Sequence, residues 1–137
     1  MEAPSRFIVV DDDPLNNLVC KHIILKSDKD ASVTLFTDPE KALETIGKFT
    51  DIMDQNEITL FLDINMPVIS GWEFLEEFAN LEEQIQKQIS IYILSSSIDD
   101  GDLERAASSA IVKGYYQKPL SLETINIIKS KRAVLLE

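Results

Sequence analysis

The chain is expected to fold as a doubly wound α/β domain, a (βα)5 three-layer sandwich with a five-stranded parallel sheet between helices. Three observations predict it. Four short runs, Phe7-Ile8-Val9-Val10, Val33-Thr34-Leu35-Phe36, Ile58-Thr59-Leu60-Phe61-Leu62 and Ile91-Tyr92-Ile93-Leu94, are β-branched, aromatic or leucine-rich and nearly continuously apolar. Such runs suit strands covered on both faces. Stretches with helical spacing separate them, which implies parallel pairing and right-handed crossovers. Finally, the runs lead into polar residues, and ligands of such sheets gather at the C-terminal strand edge.

Taken in order, the strand over 7–10 ends in Asp11-Asp12-Asp13. Asp13-Pro14 then supplies an N-cap followed by proline at the first helical position. Leu15, Leu18, Val19, His22 and Ile23 are expected to form one face of that helix, with His22, the only histidine, structural at its inner or boundary side. After the second strand, Asp38-Pro39 repeats the device, and Ala42, Leu43, Ile46 and Phe49 point inward. The third strand delivers Asp63. Ser70 or Gly71 opens a third helix carrying Trp72, Leu75, Phe78, Ala79 and Ile85. Asp99 or Asp100 starts a fourth, through Leu103, Ala106 and Ala107. Gly114-Tyr115-Tyr116-Gln117 is a weaker fifth strand, and Ser121 starts a fifth helix with Leu122, Ile125, Ile128 and Leu135 or Leu136 toward the core. The stretch Phe49 to Glu57 is polar in part and is expected to lengthen the second helix or its following loop.

At 137 residues the chain is expected to be one domain, residues 1–137 with a core of about 6–135 and no output domain. A 45% hydrophobic and 27% charged composition is that of an ordinary globular protein. The net charge of −11 argues against direct nucleic-acid binding, which demands a basic face. Lys129, Lys131 and Arg132 are expected to complement the negative end of the last helix. The single cysteine, Cys20, excludes an internal disulfide and reads as a small buried hydrophobe. No leader pattern and no run of membrane-spanning length is evident, so a cytoplasmic location is expected.

The strand ends carry chemistry. Asp11, Asp12 and Asp63 converge there, and carboxylates brought so close require a cation. Asp63 is the candidate nucleophile, since a carboxylate can attack phosphorus when cations offset the charge that builds up. Asp12, and Asp11 through it or through water, suit Mg²⁺, and Asn65 in the following turn can offer its backbone carbonyl. Lys118 supplies a positive charge for phosphoryl oxygens and Ser95 a hydroxyl donor. Pro119 leaves a cis Lys118-Pro119 bond open. Asp13 is assigned to capping and left out of the site. Each piece alone has a plainer reading as a loop, turn or solvated residue; their conjunction at four strand ends is what argues for a site.

The motifs Val9-Val10-Asp11-Asp12, Leu62-Asp63-Ile64-Asn65-Met66-Pro67 through Gly71, Leu94-Ser95 and Tyr115-Tyr116-Gln117-Lys118-Pro119 resemble, in order and spacing, the receiver domain of two-component response regulators. The resemblance covers nearly the whole chain and implies the flavodoxin-like, CheY-like version of the fold. It implies that Asp63 is the phosphoacceptor, charged by a histidine kinase or histidine phosphotransfer protein. Asp11, Asp12, Asp63 and the Asn65 carbonyl would hold Mg²⁺. Ser95 and Tyr115 would be the switch pair, signalling to a protein effector through the face of the fourth helix, fifth strand and fifth helix. Ser95 stands where threonine is commoner, and Ser70 where aspartate often precedes the glycine.

Two other classes compete. A phosphohydrolase working through an aspartyl phosphate needs a second aspartate two residues after the first; that position is Asn65, so no enzyme is expected. A constitutive, unphosphorylated binding module would be expected to have lost an acidic residue or the lysine, and none is lost.

Overall fold

A computed structural model describes residues 5–49, 57–97 and 99–136, with side chains through residue 131. Five strands, β1 (Arg6–Val10), β2 (Ser32–Phe36), β3 (Ile58–Leu62), β4 (Ile89–Ser95) and β5 (Val112–Gln117), form one sheet in the order β2-β1-β3-β4-β5. Every pairing is parallel. β3 and β4 are buried along their whole length, which accounts for runs without alternation. The helices are α1 (Pro14–Ser27), α2 (Pro39–Gly47), α3 (Gly71–Phe78), α4 (Glu83–Gln88), α5 (Asp100–Ser108) and α6 (Leu122–Leu136).

The pleat divides the core in two. Ile8, Val10, Leu60, Leu62, Ile91 and Ile93 face Ala42 and Ile46 of α2 and Phe74 and Phe78 of α3. Phe7, Val9, Phe61, Tyr92 and Leu94 face Cys20 and Ile24 of α1 and Ile125 and Ile128 of α6. This is the three-layer sandwich expected from the sequence, with one more helix among the described residues than the five anticipated.

The extra helix arises because the third helical stretch breaks. α3 ends at Phe78, with Ala79 as its C-cap, and a turn through Asn80 and Leu81 follows. Gln86 then donates its side-chain amide to the carbonyls of Ala79 and Leu81, at 3.0 and 2.8 Å. That satisfies acceptors the ended helix leaves open. Ile85 still reaches the core, from α4, whereas Ala79 is exposed.

α1 is rotated from the expected face. Its buried residues are Asn17, Cys20 and Ile24; Leu15, Leu18, Val19 and His22 are exposed. The helix carries apolar residues almost all round, so periodicity selects no face. Anchoring at its first turns decides instead. Asp13 caps the Leu15 amide, and Asn17 donates to the main-chain carbonyls of Asp11 and Phe36. Turning Leu15 and Leu18 inward would break both Asn17 bonds and expose Cys20 and Ile24.

The remaining caps follow the expected residues: Asp38 at α2, Ser70 with Glu73 as a reciprocal capping box at α3, and Asp99 at α5. Ser121 accepts from the Thr124 amide at the start of α6. Leu43, Phe49 and Trp72 pack half-buried on the core as anticipated, while Leu103, Ala107 and Leu122 are exposed. Because α6 runs on to Leu136, Lys129 lies mid-helix, and its ammonium donates to Ser27 at the end of α1. α2 is not lengthened into residue 49. The rest of the anticipated insertion, 50–56, lies outside the described residues, as do the side chains of Leu135 and Leu136.

Candidate functional site

The site is set by hydrogen bonds that extend the sheet one residue past each strand. The Asp11 amide donates to Phe36 O, the Asp63 amide to Val10 O, and the Lys118 amide to Ser95 O, at 3.0, 3.0 and 2.8 Å. The strand ends are thereby locked in register, and their side chains emerge side by side. The sheet order places β1 and β3 together at its centre, so Asp11 and Asp63 share one pocket.

Asp11 (1% exposed), Asp63 (5%) and Ser95 (0%) are buried, whereas Asp12 is exposed. One carboxylate oxygen from each of Asp11, Asp12 and Asp63 lies within 4.8 Å of the others. Lys118 Nζ sits 2.7 Å from Asp11 Oδ2 and 3.7 Å from Asp63 Oδ1. The Lys118-Pro119 peptide bond that follows it is cis. The lysine thus pairs more closely with Asp11 than with Asp63.

The electrostatics follow from this packing. Burial pushes the Asp63 carboxyl up, and the Asp11 charge adds to the push; Lys118 and the Asn65 amide oppose it. For Lys118 burial alone lowers the ammonium, but the bond to Asp11 and the charges of Asp11 and Asp63 outweigh it, so the net shift is upward. Cys20, beneath Asp11, is raised to about 12, first by burial and then by that carboxylate. It is an inert thiol.

Around Asp63 the turn is tight. The Asn65 amide donates to Asp63 Oδ1 at 3.3 Å, and the Asn65 side chain reaches Ser95 Oγ at 3.4 Å. The Gly71 amide donates to Ile64 O, and a Cβ on Gly71 would lie 2.6 Å from both Asp63 O and Ile64 Cα. Only glycine lets α3 begin this close to the Asp63 peptide. Ser95 Oγ and the Tyr115 hydroxyl both donate to Ser97 O, at 3.1 and 3.2 Å. Burial raises the Tyr115 phenol against the opposing influence of the neighbouring Ser95 hydroxyl.

All the residues singled out from the sequence, Asp11, Asp12, Asp63, Asn65, Ser95, Tyr115 and Lys118, therefore meet at one sheet edge. Two were missed. Asn16 donates to Asp11 Oδ2 at 2.7 Å, and Asn17 binds the Asp11 carbonyl. A pair of asparagines in the early turns of a helix, where the residue is disfavoured, was the available signal. The donor set is three carboxylates, hard oxygen ligands in a partly dry pocket, and it fits a small divalent cation such as Mg²⁺.

A central parallel sheet with an acidic cluster at its carboxyl edge and a lysine after the last strand defines a CheY-like receiver fold. The family model described as response regulator receiver domain matches residues 7–128, and the chain belongs to that family. Such domains are in general signalling switches of two-component systems rather than enzymes. Among solved structures, a response regulator receiver protein from Dyadobacter fermentans is 26% identical with a TM-score of 0.84, over 93% of this chain and 96% of that one. A two-component response regulator from Cytophaga hutchinsonii matches equally well in identity and TM-score, over 99% and 100% of the two chains. Response regulator TrrA from Thermotoga maritima, solved in complex with Mg²⁺-BeF, is 22% identical with a TM-score of 0.68, over 93% and 97%. No curated protein sequence matches the chain. Among the described residues, no helix is long and apolar enough to cross a membrane.

Proposed function

We propose that the protein is a phosphorylation-activated switch in which Asp63 accepts a phosphoryl group from a histidine kinase or a histidine phosphotransfer protein. The observation that carries this reading is the clustering of Asp63 with Asp11 and Asp12, with Lys118 Nζ 3.7 Å from Asp63 Oδ1. An Asp63 oxygen would form the new bond to phosphorus as the phosphorus–nitrogen bond of the donor histidine breaks. Lys118 would meet the phosphoryl oxygens, having only to shift from Asp11, and the buried Ser95 hydroxyl would donate to them. Asp11, Asp12, Asp63 and the Asn65 main-chain carbonyl would hold Mg²⁺, which when bound offsets the negative charge of the transferring group.

In the structure the Ser95 hydroxyl donates to Ser97 O and Tyr115 shares that acceptor. Recruitment of Ser95 by the phosphoryl group would leave Ser97 O to Tyr115 alone. The α5–β5 surface, a depression lined by Leu103, Ala107, Val112, Lys113 and Tyr115, would then change for a protein effector. Counting α4, the expected output face becomes α5–β5–α6.

The test is intact mass after incubation with acetyl phosphate and Mg²⁺, beside an Asp63→Asn control. One added phosphoryl group that requires Mg²⁺ and is absent from the control is the expected result. No adduct, with no response of Trp72 fluorescence to beryllofluoride and Mg²⁺, would turn the reading to an unphosphorylated binding module.

A further inference from the structure

Asp11 is held at all three of its oxygens. Its Oδ1 accepts from the Asp13 amide at 2.9 Å. Its Oδ2 accepts at 2.7 Å from Lys118 Nζ and at 2.7 Å from the side-chain amide of Asn16. Its main-chain carbonyl accepts from Asn17, which is 2% exposed and has no partner for its own Oδ1. Two adjacent residues of α1 thus hold one aspartate, one by its side chain and one by its backbone.

Lys118 and Asn16 differ in what they can do there. The lysine is a mobile point charge on a flexible stem, within 3.7 Å of a second carboxylate, and can leave Asp11. Asn16 is fixed on α1, whose rotation is set by the Asp13 cap and by Asn17. Among the described residues its side-chain amide also reaches Cys20 Sγ, weakly, at 3.7 Å. When the lysine moves toward Asp63, Asn16 is the neutral donor that keeps the Asp11 carboxylate facing the pocket.

We propose that Asn16 is a positioning residue for Asp11, and that its amide, by sharing Oδ2 with Lys118, sets the affinity of the acidic cluster for Mg²⁺. The inference rests on the cation-binding part of the proposed function. Partners that orient a metal ligand typically change affinity 10–100-fold when removed. A neutral amide acting on one of three carboxylates is expected at the lower end, about tenfold.

Calorimetric titration with MgCl₂ of the native protein and of Asn16→Leu, Asn16→Ala, Asn16→Gln and Asp12→Asn tests it, with urea unfolding of each in EDTA alongside. Asn16→Leu keeps the volume, and Asn16→Ala covers the case in which leucine disturbs folding. The expected result is Mg²⁺ binding about tenfold weaker in Asn16→Leu and Asn16→Ala, recovered to within a few-fold by Asn16→Gln, which retains the amide. Native-like affinity in the leucine and alanine variants, or a loss in Asn16→Gln equal to theirs, overturns the positioning role. A native protein that binds no more Mg²⁺ than Asp12→Asn overturns the cation reading itself, and the inference with it.

Discussion

Lys118 crosses from the end of β5 to Asp11 at the end of β1, where its ammonium lies 2.7 Å from Oδ2, and stops 3.7 Å short of Asp63 Oδ1. One positive charge thus serves two buried carboxylates unequally. Removing it leaves both uncompensated, a situation that costs about 3–5 kcal/mol in dry interiors and less here, because the lysine side chain is 18% exposed. Lys118→Met is expected to lose about 2–3 kcal/mol in EDTA. Because Mg²⁺ is the other cation that can fill the role, its addition should stabilise this variant more than the native protein. Urea unfolding with and without Mg²⁺ checks both statements; equal stabilisation would contradict the exchange of one cation for the other.

The raised Asp63 carboxyl makes a pH prediction whose sign is fixed. Burial and the Asp11 charge favour the protonated form in the folded state. The benefit is complete below the ordinary aspartate range, near 3.9, and is lost as pH rises through the raised folded value. Ionised Asp63 therefore costs stability at neutral pH. Asp63→Asn should be more stable than the native protein at pH 7, by a margin that narrows toward pH 4. Chemical unfolding in EDTA across this range tests it, and a margin independent of pH would contradict it.

Gly71 is a packing requirement. A methyl group there would lie 2.6 Å from main-chain atoms of Asp63 and Ile64, which have no flexible end to move aside. Gly71→Ala is expected to cost about 1–3 kcal/mol by overpacking, despite the better helix propensity of alanine. It should also slow modification by acetyl phosphate, because relief of the clash displaces the Asp63 peptide. An unfolding midpoint equal to that of the native protein would refute the close approach.

Ser95 and Tyr115 share one acceptor, Ser97 O, and should be energetically coupled. In a double-mutant cycle of Ser95→Ala and Tyr115→Phe, the interaction energy is expected to be at least about 0.5 kcal/mol. Ser95→Ala should be the costlier single change, since Ser95 is fully buried and Tyr115 only partly so. Additivity within error would mean that the shared carbonyl does not link them.

Local chemistry made much of this protein legible. Continuous runs such as Ile58–Leu62 and Ile91–Leu94 identified buried parallel strands, because burial on both faces removes the period-two alternation. Asp13, Asp38 and Ser70 announced helix starts, because a cap is a relation between residues two or three apart. The juxtaposition of Asp11, Asp12, Asp63, Ser95 and Lys118 was also within reach, since parallel strands must all end at one edge.

The tertiary structure alone decided the rest. The rotation of α1, which exposes Leu15, Leu18 and His22 and buries Asn17, depends on carbonyls at the ends of two different strands. The break between α3 and α4 depends on a Gln86 side chain returning to carbonyls five and seven residues earlier. The choice of Asp11 over Asp63 by Lys118, and the sharing of one Asp11 oxygen between Lys118 and Asn16, are contests between groups far apart in sequence. Periodicity and capping are properties of a few neighbouring residues. The partner a buried charge takes is a property of distance in space, and that is settled only when the strands are laid side by side.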